Sequence, residues 1–352
     1  STDTRESMYA TAMLAGQDVY DLVFMDVIWV PKFASQQWLL PLDDLLPPPE
    51  REAFFPGDIE GSIYEGKLYR IPVRSDAGVL FYRSDLVPTP PQTFEELDSL
   101  AASLANPPDQ WGFVFQGTQY EGLVCTFLEV LWGHGGDLLD AGGEVVLDRP
   151  AGVEALRWLA STVGRIAPPA VTTYQEEESR QAFQEGRALF LRNWPYVWSK
   201  AQEDGSPVKG HVGIARMPHT EGASSAATLG GWGFGIARTC KHPEAARAFV
   251  KFATSAESMK ILDRRNGAIP ARQGLYEDPE LVQAHPYYPD LREVLLAARP
   301  RPVHPKYARI SSILQAQVSA ALVGRAEPEA AIRSAAEEIR RVLAASGAES
   351  RP

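Results

Sequence analysis

The sequence predicts an α/β protein with two domains. Short apolar, aromatic and β-branched runs alternate with segments of helical periodicity along most of the chain, the pattern of layered helix and sheet. At roughly 150 residues per domain, 352 residues are enough for two separate cores. Hydrophobic residues make up 45% and charged residues 22%, ordinary globular usage that excludes disorder and a coiled coil. Mostly parallel sheets are expected, with a helix-rich C-terminal part packed back on earlier elements.

The elements follow in order. Met8, Ala12 and Met13 at helical spacing place a helix over 5–14, Gly16 ends it, and YDLVFMD at 20–26 is an apolar strand. A helix over 29–37 leads into the proline-punctuated connection 41–50. KLYRIPV at 67–73 and GVLFYR at 78–83 are strands, with Pro72 implying an edge or a crossover. Thr93 followed by Glu96 has the capping-box spacing of a helix start. A strand at 111–115, a helix at 119–132, a turn at AGGE and a helix at 150–165 opened by Pro150 continue the alternation. ALFLRNW at 188–194 is an apolar strand, and LGGWGFGIA at 229–237 is a glycine-rich strand of close backbone approaches. From 243 onward the chain is helical except at RPRPVHPKY, 299–307.

The formal net charge of −11 disfavours a nucleic-acid or anionic-membrane partner, so a neutral or cationic ligand is expected. Apolar runs such as 122–132 fall short of the ~18 residues a membrane helix needs. The opening STDTRESMYA lacks the basic and apolar regions of a signal peptide, so any export signal is expected to be removed or upstream. Cys125 and Cys240 are too few for a disulfide framework or a zinc site and are either two buried thiols or one bridge. No G-x-S-x-G, H-E-x-x-H, Walker or C-x-x-C motif occurs, and no histidines pair at i, i+3 or i+4, so neither a metal nor another cofactor is expected. Asp26 and Asp76 each lie by a strand, as the two carboxylates of a glycoside hydrolase would. Trp194, Tyr196, Trp232 and Tyr307 stand beside glycine, proline or charge, where flat rings suit the apolar faces of pyranose sugars.

Five segments then fall in register. YDLVFMDVIWVPKFASQQWLLPLDDLL, GKLYRIPVRSDAGVLFYRSDL, ALFLRNWPYVW, TLGGWGFGIAR with KHPEAARAFVKFATS, and RPRPVHPKYARIS together resemble the extracellular solute-binding proteins (family 1) of ABC transporters, in the trehalose/maltose-binding branch. The resemblance spans nearly the whole chain. It implies a periplasmic-binding-protein-like α/β fold of two lobes joined by crossover strands, with a ligand cleft between them. The expected N-terminal lobe is 1–77 plus 236–299 and the C-terminal lobe 78–235 plus 300–352.

By that resemblance Asp26 and Arg5 bind sugar from the first lobe, Asp76 is an acidic ligand beside the first crossover, and Trp194 and Trp232 are stacking rings with Tyr196 as a second edge. Gly230 and Gly231 bring backbone amides to the ligand, and Arg301 belongs to the third crossover. Each has a plainer role open to it: a helix cap for Asp26, a solvated charge for Arg5, a turn for Asp76, core packing for the rings, a bulge for the glycines and an interlobe salt bridge for Arg301. Arg74 stands where an aromatic or polar residue is expected. The family also has a strand and loop ahead of Arg5 carrying another acidic ligand; no segment here matches it, so the predicted site is expected to be incomplete. The implied function is binding without turnover, by lobe closure, of an α-linked disaccharide such as trehalose or maltose for delivery to ABC permease subunits. Sucrose, palatinose, glucosylglycerol or a longer oligosaccharide are the alternatives, and glycoside hydrolysis is the enzymatic one. A monomer, periplasmic or tethered at the cell surface, is expected.

Overall fold

A computed structural model describes residues 2–349, with side chains from 5 to 345. The chain forms two compact units, Ser1–Ala77 with Leu229–Tyr307 and Gly78–Thr228 with Ala308–Pro352. Its strands are β1 (Leu22–Asp26), β2 (Ile63–Tyr64), β3 (Lys67–Leu68), β4 (Ile71–Ala77), β5 (Val79–Arg83), β6 (Trp111–Val114), β7 (Ala188–Asn193), β8 (Val212–Ala215), β9 (Ala227–Ile236) and β10 (Ala298–Arg299). Among the described residues no helix is long and apolar enough to cross a membrane.

In the first unit β9 is the organising strand. β1 pairs with it antiparallel from Leu22↔Ile236 to Asp26↔Trp232, and β4 pairs with it antiparallel from Ile71↔Phe234 to Ala77↔Leu229. β10 joins the same sheet. The β4 register shifts between Pro72 and Arg74, as the missing amide of a proline at a sheet edge requires. Val23 and Met25 turn one face of β1 into a core with Trp29, Val30, Phe33 and Leu39. Phe24 and Asp26, on the opposite face by the two-residue period of a strand, are half-buried.

The second unit has the strand order β6-β7-β5-β8, with β6–β7 parallel and β5 antiparallel to both β7 and β8. Its large core draws on the helices Phe94–Leu104, Glu121–Gly133 and Pro150–Thr162, and on Ile310, Leu314, Ile332 and Ile339 of the C-terminal helices. Thr93 caps its helix as the sequence predicts, accepting from Glu96 N at 3.1 Å while the Glu96 carboxylate accepts from Thr93 N at 3.3 Å.

Two expectations are corrected. The sheets are not mostly parallel: of the directions described, only β6–β7 is. Alternating strands and helices imply parallel pairing only when consecutive strands share a sheet, and here the chain leaves the first unit after β4 and returns at β9, entering from the opposite direction. The chain also crosses between units at 228/229 and 307/308 rather than at 235/236 and 299/300. The β9 ladder with β4 runs unbroken back to Leu229, and Arg301 bonds to the Leu229 carbonyl, so 229–235 and 300–307 go with the first unit.

Candidate functional site

The first unit gathers Arg5, Asp26, Asp76, Gly230, Gly231, Trp232 and Arg301 around the middle of β9. Trp232 lies opposite Asp26 on β1 and Arg74 on β4. Its ring stacks on Phe24 at 5.3 Å and 27°, meets the edge of Trp29 at 5.3 Å, and carries the Arg5 guanidinium 4.8 Å from its centroid. Such a cation over an indole face is worth about 0.5–2 kcal/mol. Asp26 Oδ1 caps the turn Val27–Trp29 by accepting from Ile28 N at 3.2 Å, and meets Arg301 Nη2 at 3.4 Å. The cap expected as its plainer role is therefore present alongside a half-buried ion pair. Arg301 Nη2 also donates to Leu229 O at 3.3 Å.

Asp76 pairs with Arg74 Nε at 3.1 Å. Burial pushes its carboxyl above the ordinary range, Arg74 pulls it back, and the nearby Asp26 charge adds to the rise. Arg5 thus lies over the indole, Asp26 and Arg74 flank Trp232 across the sheet, and Arg301 and Asp76 pair with those two in turn, a set suited to paired hydrogen bonds with vicinal hydroxyls.

The glycines of GWGFG have a structural cause. At Gly231, φ is +123° and an added Cβ would lie 2.5 Å from Arg74 O. At Gly233 it would overlap the Ile71 carbonyl and come within 2.8 Å of Arg70 Nε. One face of β9 is therefore bare because β4 and a buried Arg70 press on it, while the other carries Trp232. Gly230 is buried opposite Asp76. Beneath lies Asp58, fully buried, with Arg70 Nη2 at 3.3 Å and Arg70 Nη1 donating to Ser62 Oγ at 2.8 Å.

The second unit holds Trp194 and Tyr196, just past β7. Asn193 Oδ1 accepts from Trp194 N at 2.7 Å, and its amide nitrogen donates to Glu176 O at 3.0 Å and Ser179 Oγ at 3.1 Å, which fixes the turn. Trp194 Nε1 points at Glu176 Oε1, 3.4 Å away, and the Tyr196 hydroxyl donates to Glu177 Oε1 at 2.7 Å. Arg180 holds the Glu177 carboxyl below its ordinary range, while burial raises the Tyr196 hydroxyl, as it does Tyr120 beside Glu176. The Arg192 guanidinium lies 4.4 Å from the Trp194 centroid.

Trp232 and Arg301 thus belong to the first unit, not to the second lobe where the expected boundaries placed them. Sequence reading missed Phe24, Glu176, Glu177 and Arg192. The one available signal was Arg192 itself, an arginine inside an apolar strand that must find a buried partner. Neither cysteine is in a disulfide: Cys125 is buried, and Cys240 is half-buried with its thiol against Asp21. No cluster of metal-ligating side chains occurs among the described residues.

Residues 1–260 match the family model described as bacterial extracellular solute-binding protein. The chain belongs to this family. A probable ABC transporter-binding protein of Deinococcus radiodurans is 34% identical over 97% of this chain and 84% of its own length. Among solved structures, maltose-bound MalE3 of T. maritima is 39% identical with a TM-score of 0.90, covering 97% of this chain and 89% of that one. An ABC transporter solute-binding protein from Agrobacterium radiobacter in complex with ribitol is 27% identical with a TM-score of 0.86, again covering 97% and 89%. These likenesses give the two-lobe α/β fold and make this chain an extracellular solute-binding protein of an ABC transporter rather than an enzyme.

Proposed function

We propose that this chain binds an α-linked disaccharide such as trehalose or maltose and delivers it to ABC permease subunits. The likeness to maltose-bound MalE3 at 39% identity over 97% of the chain carries the reading. Side-chain chemistry supports it: Trp232 and Trp194 offer indole faces, each beside carboxylates, Asp26 and Asp76 for the first and Glu176 for the second. Arg5, Arg74 and Arg301 donate to sugar oxygens, and Tyr196 adds a second ring edge. Gly230 and Gly231 leave β9 without side chains next to Trp232. Closure of the two lobes on the sugar and a monomeric state belong to the same reading, as does a position outside the cell membrane, periplasmic or tethered.

Isothermal titration calorimetry against trehalose, maltose, sucrose, palatinose, glucosylglycerol, ribitol and glucose tests the proposal. Saturable one-to-one binding of trehalose or maltose, with no glucose released, is expected. Binding of ribitol and of no disaccharide would overturn it in favour of a polyol, the reading favoured by the Agrobacterium neighbour. Small-angle scattering with and without sugar reads closure, and gel filtration reads the oligomeric state.

A further inference from the structure

Arg192 and Glu129 are wholly buried in the second unit, 63 residues apart in sequence. Arg192 Nε donates to Glu129 Oε2 at 2.6 Å and Nη2 donates to Oε1, a two-pronged pair. Arg192 Nη1 donates to Gln116 Oε1 at 2.8 Å, and Gln116 in turn donates to Ser179 Oγ at 2.8 Å and Arg192 O at 3.0 Å. Glu129 Oε1 also accepts from Thr228 N at 3.1 Å. The guanidinium meets the carboxylate at its edge and the Trp194 ring at its face.

The same pair sits against two of the three points where the chain passes between units. Thr228 is the last residue before one crossing and Gly78 the first after another. Gly78 N donates to Thr228 O at 3.2 Å, and a Cβ at Gly78 would overlap both Glu129 Oε1 and Arg192 Nη2. A glycine is therefore required at 78 for the ion pair to nest against the crossing chains. A buried ion pair contributes little net stability compared with apolar residues of the same volume, so this much polar satisfaction points to a role in position.

We infer that Arg192 and Glu129 are positioning residues for sugar binding: they hold the Trp194 ring in place from beneath and fix it to the crossing strands Gly78 and Thr228. The inference rests on the reading of Trp194 as a sugar-stacking ring.

The test is a double-mutant cycle read by calorimetry with maltose and trehalose on the folded chain. Arg192→Lys keeps the charge but loses the planar, two-pronged donor and the flat cation under the ring. It should weaken binding roughly three- to thirtyfold in the native background and have no further effect in a Trp194→Ala background. Glu129→Gln, which removes the charge partner and keeps the side-chain shape, should behave alike and serves if Arg192→Lys does not fold. Unchanged affinity in the folded variant, or equal weakening in both backgrounds, would overturn the inference while leaving Trp194 in the site. Unchanged affinity in Trp194→Ala alone, or no binding of either sugar, would overturn the reading beneath it.

Discussion

Replacing Asp58 by Asn should remove part of the pH dependence of stability. Asp58 is fully buried, and its Oδ1 meets Arg70 at 3.3 Å. Burial raises the carboxyl to about 6, the Arg70 guanidinium and Ser75 pull it down, and the Asp76 charge adds to the rise. Asp26 acts on the same Arg70, and Tyr276 lies within reach of both Asp58 and Asp76. A carboxyl whose pKa is higher folded than unfolded holds its proton longer in the fold. Its stabilisation is complete below its unfolded value, about 4, and is lost as pH rises through 6. Two pH units at 1.36 kcal/mol each make this about 3 kcal/mol. The assay is urea unfolding of the native chain and of Asp58→Asn at several pH values between about 4 and 7, read as a difference between the two. The difference matters because carboxyls held low by arginine or lysine, such as Asp148 and Asp278, act in the opposite sense in both proteins. The native chain should lose its advantage over Asp58→Asn as pH rises. A difference that is flat, or that grows toward neutral pH, would refute the account of Asp58.

Three further outcomes are expected. Trp232→Ala should weaken sugar binding by about 1–3 kcal/mol with the fold intact, as removal of a contact ring does, and unchanged affinity by calorimetry would take Trp232 out of the site. Asp26→Asn keeps a side chain that caps a turn but loses the charge facing Arg301, so affinity should fall about tenfold while the thermal midpoint moves little; a large midpoint drop would make the ion pair structural. Gly233→Ala meets the Ile71 carbonyl and the Arg70 side chain and should cost about 1–3 kcal/mol by urea unfolding, whereas Gly274→Ala, with open space around it, should cost almost nothing.

Local features of the fold were legible where a short segment determines them. The capping box at Thr93, the proline disturbance at Pro72 and the strands around Phe24, Phe81, Phe190 and Trp232 all follow from neighbours in sequence. Strand direction was not, because β4 and β9 pair across an excursion of about 150 residues through the other unit. Of the site, the cluster around Trp232 could be named from residue type and resemblance, and the structure brings Arg5, Asp26 and Arg74 to that ring. The groups beneath the rings could not: Glu129–Arg192 joins segments 63 residues apart, and Asp58–Arg70 meets across the short β2–β3 hairpin that no turn motif announced. The alternating glycines of β9 were their trace: a strand loses side chains on one face when a large buried group needs the room.

The central place of β9 also sets an order of events during synthesis. β1 and β4 do not pair with each other; each pairs with β9. Once residues 1–77 have been made, both strands wait through residues 78–228 before their partner emerges at Leu229. The second unit waits in turn for Ile310, Leu314, Ile332 and Ile339 to complete its core. Neither unit can close early, so a nascent chain carries β1 and β4 without their partner while residues 78–228 are made, and a chain stopped before the last two helices lacks part of the second core.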